Sequence, residues 1–136
     1  MNTAQATASA MLAAAFPLLN SGTGIIYSGT QPATPETALS GNTALATADF
    51  ATTALSGSIT YSSGYMVGSL AFTSTSISPS ANGTASFMRL YKSDGTTAVA
   101  DLTVGTSGTD VILGTTTIAT GTTINITSAQ LKMPAS

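Results

Sequence analysis

Residues 84–110, TASFMRLYKSDGTTAVADLTVGTSGTD, hold Arg89, Lys92, Asp94, Asp101 and Asp110, five of the charged side chains in a chain with only three basic and five acidic residues. Acid–base chemistry would be sought in such a concentration. The chain has neither His nor Cys, which removes nucleophile–histidine relays and the common zinc sites. A hydrolase built on paired carboxylates needs two acids in one cleft. Glu36, Asp49, Asp94, Asp101 and Asp110 show no spacing that joins them. Asp94 belongs to a Ser93-Asp94-Gly95 turn, where Asp is favoured for backbone reasons. Asp110 follows a Ser-Gly-Thr turn and has the same structural reading. The acids are too dispersed for the several oxygen ligands of a calcium site. These residues predict a protein that is not an enzyme and needs no cofactor.

The elements around these charges explain them better. Thr84–Lys92 and the residues after Gly95 read as two strands of a hairpin. Met88 and Leu90 point one way; Phe87, Arg89 and Tyr91 point the other. A strand with large residues on both faces needs a second cover, from the helical arm, from loop 29–41 or from another subunit. A three-residue turn with Gly95 in a left-handed bulge puts Arg89 and Asp101 on one face as diagonal neighbours; a two-residue turn puts them on opposite faces. Ser-Asp-Gly suits the first, so an Arg89–Asp101 pair is predicted on the Phe87/Tyr91 face. Arg89 could equally anchor an interface, where Arg is enriched.

The 136 residues predict one domain. Thr, Ala and Ser number 26, 22 and 18, so large core residues are scarce and a thin core, helped by self-association or docking, is expected. Charged residues make up 6% of the chain, against roughly 25% in typical soluble domains. Low charge leaves little repulsion between packed neighbours. Arg89, Lys92 and Lys132 form no basic patch, so no nucleic-acid partner is expected.

Residues 3–16, TAQATASAMLAAAF, predict a helix with Thr3 as N-cap and Met11, Leu12, Ala15, Phe16 and Leu19 on one apolar face. Pro17 should end or kink it. The segment has no basic residue before its apolar run, unlike a signal peptide, and no run is long enough for a membrane helix. Strands are predicted at Thr23–Ser28, Thr43–Phe50 and Val67–Ile77, with a loop at 29–41 stiffened by Pro32 and Pro35. Residues 51–66 read as loops around a short strand at 58–61. Asn82-Gly83 signals a hairpin that would pair Thr84–Lys92 with the strand before it. Short strands follow at 111–113, 116–119 and 122–133. Asn82-Gly83-Thr84 and Asn125-Ile126-Thr127 fit the glycosylation triplet by coincidence. Short strands with turn signals every 8–12 residues or so predict an all-β fold, an antiparallel β-sandwich or jelly roll. The division expected is a short N-terminal helical arm, 1–22, and one β-sandwich domain, 23–136.

The segments LLNSGTGIIYSGTQPATPETALSG, ALATADF, GTASFMRLYKSDGTTAV, VGTSGTDVIL and TINITSAQLKMP together resemble a family of small structural proteins of tailed bacteriophages, the capsid cement or decoration proteins. The most specific parts are residues 25–32, IIYSGTQP, and 87–90, FMRL. Pro17 and the uncharged N-terminus depart from the family's usual segment. The resemblance implies a β-sandwich on the capsid exterior of the virion, made in the host cytoplasm. Its partners would be the major capsid protein and itself, as a homodimer or homotrimer, with no nucleic acid and no membrane. The contact residues expected are Met11, Leu12, Phe16, Tyr27, Gln31, Pro32 and Pro35, with Arg89. A tail or fibre component is the alternative within the class. A carbohydrate-binding β-sandwich is the alternative outside it, and would need an exposed aromatic platform from Tyr61 and Tyr65.

Overall fold

Thr-rich stretches, whose branched side chains suit a pleated surface, alternate with glycine-marked turns, and the chain folds accordingly. The computed structural model describes residues 3–135. Helix α1 (Gln5–Ala15) and a 3₁₀ turn (Phe16–Leu19) lead into β1 (Thr23–Tyr27), β2 (Ala44–Ser62), β3 (Tyr65–Phe72), β4 (Ser76–Ile77) and β5 (Gly83–Thr84). These are followed by β6 (Phe87–Tyr91), β7 (Ala98–Gly105), β8 (Val111–Leu113), β9 (Thr117–Ile118) and β10 (Ile124–Pro134).

The all-β expectation holds. Seven strands close into a barrel in the order β3-β2-β1-β6-β7-β8-β10, with β10 returning to β3. Closure removes most sheet edges. The arrangement is thus a ring rather than two separate sheets. One pairing departs from the antiparallel expectation: β7 and β8 run parallel, over Val104↔Val111 and Gly105↔Ile112. Parallel strands ordinarily need a long crossover. Here the overlap is so brief that the 106–110 loop suffices, held by Asp110 N–H on Thr103 Oγ1 at 3.0 Å.

Cross-strand pairs carry one apolar face round the interior. Ile26 sits opposite Ala46 and Met88, Met88 opposite Leu102, and Leu113 opposite Ile126. Leu45 breaks the alternation yet is fully buried. The β1–β2 register slips there, from Ile26↔Ala46 to Tyr27↔Ala44, and the bulge turns the extra residue inward.

The helical arm packs into the same core. Ala8, Leu12, Phe16 and Leu19 are its buried face, while Met11 is 42% exposed and Ala15 half-buried. The predicted face is therefore rotated. Gly68 on β3 sets the rotation: the Phe16 ring occupies its missing side chain, so that a Cβ there would lie 2.5 Å from Cε2. Ala4, not Thr3, is the N-cap residue. Pro17 ends the α-helix as expected: α1 stops at Ala15, and Pro17 lies in the first positions of the 3₁₀ turn that follows, where proline is tolerated.

Two other expectations are corrected. Residues 51–66 are not loops around a short strand, because β2 runs unbroken to Ser62 and turns through Ser63-Gly64 into β3. Both turn residues have positive φ, 49° and 87°, as a type I′ hairpin requires. Nor does Asn82-Gly83 make a hairpin. Asn82 Oδ1 accepts the Thr120 N–H at 2.7 Å, and Gly83-Thr84 pair with β9. The strand after it, β6, pairs with β1 and β7, and β4 pairs with β10 rather than extending β3. Long-range closure buries all five β6 residues, which outweighs a local turn preference.

Candidate functional site

Strand β6 lies between β1 and β7, and its outer face carries the chain's only ion pair among the described residues. Arg89 and Asp101 are direct cross-strand partners. Lys92 N–H bonds Thr97 O at 3.0 Å, so the loop spans residues 93–96 rather than the expected three-residue turn. The register then skips Val99, from Leu90↔Ala100 to Tyr91↔Ala98, and this bulge makes the two directly opposed, where an unbroken register would put them on opposite faces. Arg89 Nε donates to Asp101 Oδ1 at 2.7 Å and Nη2 to Oδ2 at 3.0 Å. This bidentate geometry is the strong form of the pair. The bond to Asp101 raises the guanidinium pKa further above its ordinary value, against the opposing effect of burial.

The remaining guanidinium donors reach out of the barrel. Nη1 donates to Thr37 O at 2.9 Å and Nη2 to Thr34 O at 3.4 Å. Loop 29–41 is thereby tied down over the outer face of β6, which supplies the second cover that the strand requires. Tyr27 completes the layer. Its ring stacks on Phe87 at 5.3 Å and 20°, and its hydroxyl bonds that of Tyr91 at 3.1 Å. Burial, then the bond to Tyr91, pushes the Tyr27 phenol well above the ordinary tyrosine range.

Asn42 fastens the base of the loop. Its Nδ2 donates to Ser28 O at 2.8 Å and Thr30 O at 3.1 Å, and its Oδ1 accepts the Ser40 N–H at 3.1 Å. With its backbone held at both ends and in the middle, the loop is a preorganised surface, which lowers the entropy cost of docking.

The predicted contact residues divide between surface and interior. Met11 and Gln31 are exposed, and Pro32 and Pro35 are half-buried in the loop. Leu12, Phe16, Tyr27 and Arg89 are buried in the chain's own packing; they fix the arm and the loop from beneath. Leu18, 45% exposed beside the buried Leu19, is a surface residue that the predicted apolar face leaves out. Asn42 gave no sequence signal beyond its place after a Ser-Gly pair.

The acids do not converge. Asp94 accepts the Thr96 and Thr97 N–H groups, each at 2.8 Å. The side-chain and backbone bonds from Thr97, with that from Thr96, hold its carboxyl at about 2. Asp110 Oδ2 faces Thr103. Among the described residues no three His, Cys, Asp or Glu lie close enough to hold a metal ion, and no helix is long and apolar enough to cross a membrane. Tyr61 pairs with Met66 and Tyr65 with Ser62, so the two rings lie on opposite faces of the β2–β3 hairpin and build no shared platform. No protein-family model, curated protein or solved structure matches the chain.

Proposed function

We propose that the chain is a non-enzymatic structural protein of a virion, which docks on the outer capsid surface and cements capsomers. The observation that carries this reading is the arm. Helix α1 has no charged residue in its first or last turn. One side locks into the barrel core, while Met11 and Leu18 stand on the surface at 42% and 45% exposure. A rigidly backed apolar face of this kind suits burial against a protein partner. The tied loop 29–41 supplies a second preorganised surface, with Gln31 and Glu36 exposed on it.

The partner in this reading is the major capsid protein, with a second or third copy of the chain completing a homodimer or homotrimer over each seam. Many weak copies acting together raise the cost of separating capsomers by multivalency. The proposal carries the finer architectural expectation too, a flattened barrel of sandwich or jelly-roll type. A place in the tail or fibre would use the same surfaces.

The test is sedimentation of purified protein with capsids that lack it. Wild type should co-sediment saturably. The double variant Met11→Ser/Leu18→Ser should keep its melting temperature and lose binding. Binding unchanged in that variant would refute the arm's role, and no binding to any capsid form would refute the cement reading.

A further inference from the structure

The ladder at the open end of β2, β3 and β10 makes a groove on the outer face, opposite the side that receives Phe16. Thr60, Val67 and Lys132 form one row across the three strands, through the pairs Thr60↔Val67 and Lys132↔Val67. Ser62 and Tyr65 form the next row toward the hairpin tip, and Gln130 stands beside Ser69 on the other side. These residues, with Ser63, line a depression of about 380 Å³, within the roughly 300–1,000 Å³ of small-ligand sites.

The chemistry of the lining is specific. Val67 gives an apolar floor, and Tyr65, 43% exposed, gives an aromatic wall. Thr60, Ser62, Ser63 and Gln130 give a rim of hydroxyls and one amide. The ammonium of Lys132 lies 6.0 Å from the Tyr65 ring centroid, at the outer limit of a cation–π contact. Among the described residues it has no ion-pair partner and no carboxylate lines the groove. Asp110, joined to Gln130 through its main-chain oxygen, turns its carboxylate to Thr103.

We infer that this groove binds an acidic saccharide, a pyranose unit carrying a carboxylate. The C–H face of the ring covers Val67 and Tyr65, its hydroxyls meet the rim, and its carboxylate draws Lys132 off the Tyr65 ring into a charge-assisted bond. The site is separate from the arm and the loop, so it does not depend on the capsid reading.

Amide-shift NMR titration of the full chain tests it. The probe is a tetrasaccharide of alternating glucuronic acid and N-acetylglucosamine. A tetrasaccharide of N-acetylglucosamine alone and sodium acetate serve as controls. The expected result is saturable shifts at Tyr65, Val67 and Lys132 with the acidic probe, and about tenfold weaker binding in Lys132→Gln, the worth of one such bond. Tyr65→Ala should weaken both sugars. Absence of saturable shifts overturns the inference, as do shifts confined to other strands. Equal binding of the two sugars overturns the part given to Lys132, and the same shifts with acetate alone reduce the groove to a simple anion site.

Discussion

Arg89 and Asp101 face each other directly across β6 and β7, with side chains 5% and 4% exposed, and the same guanidinium holds two main-chain oxygens of loop 29–41. One side chain thus couples the barrel wall to the surface above it. This coupling orders the loop whether or not the pair adds net stability, because burying two charges costs much of what their attraction returns.

Arg89→Ala leaves Asp101 buried without its partner. Urea unfolding should show a loss of about 3–5 kcal/mol. The paired replacement Arg89→Met/Asp101→Leu should recover much of this, yet the Thr37 amide, bonded to Thr34 O at 3.0 Å, should exchange faster in both variants. Unchanged exchange in the double variant would show that the loop holds itself.

Gly68→Ala should destabilise by about 1–3 kcal/mol, because its Cβ would lie 2.5 Å from the buried Phe16 ring. In a Phe16→Leu background the same change should cost less. Additive effects in this double-mutant cycle would mean that Phe16 does not fill the space over Gly68.

Tyr27 sets an alkaline limit. Its folded pKa lies above the ordinary 10.0, so the protonated phenol is favoured in the fold. The stability this contributes is complete below pH 10 and is lost as pH rises toward the folded value. Phenolate absorbance should show one late-ionising tyrosine, released only on unfolding and absent from Tyr27→Phe. A single early transition for all tyrosines would contradict the buried placement.

Asp94 works in the opposite direction. Its carboxyl falls from 3.8 to about 2 in the fold, so its contribution is present above pH 3.8 and disappears as pH falls toward 2. The stability gap between wild type and Asp94→Ala should therefore narrow through that window. A gap independent of pH would place the effect in the turn's backbone alone.

Strand parity made several of these features legible in advance. The alternation of Met88 and Leu90 with Phe87, Arg89 and Tyr91 gave the two-sided strand, and the three-residue reading of Ser93-Asp94-Gly95 gave the face shared by Arg89 and Asp101, which the structure reaches through a 93–96 loop and the bulge at Val99 instead. Their exact opposition was not legible, since it depends on the bulge at Val99. Ring closure was not legible either. It rests on β10 meeting β3, a pairing across about half the chain, whereas turn residues such as Asn82-Gly83 report only local preference. In 51–66, Ser and Thr suit loops and exposed strands alike, so the length of β2 could not be separated from a series of turns. The arm's rotation depended on a glycine that periodicity in the helix cannot see.

Cryo-electron microscopy of virions assembled from the genome that encodes this chain tests the central claim most directly. The account predicts density for the seven-stranded barrel on the outside of the capsid shell, with Met11 and Leu18 turned toward the shell protein. Density confined to the tail, or virions without the protein, would contradict it.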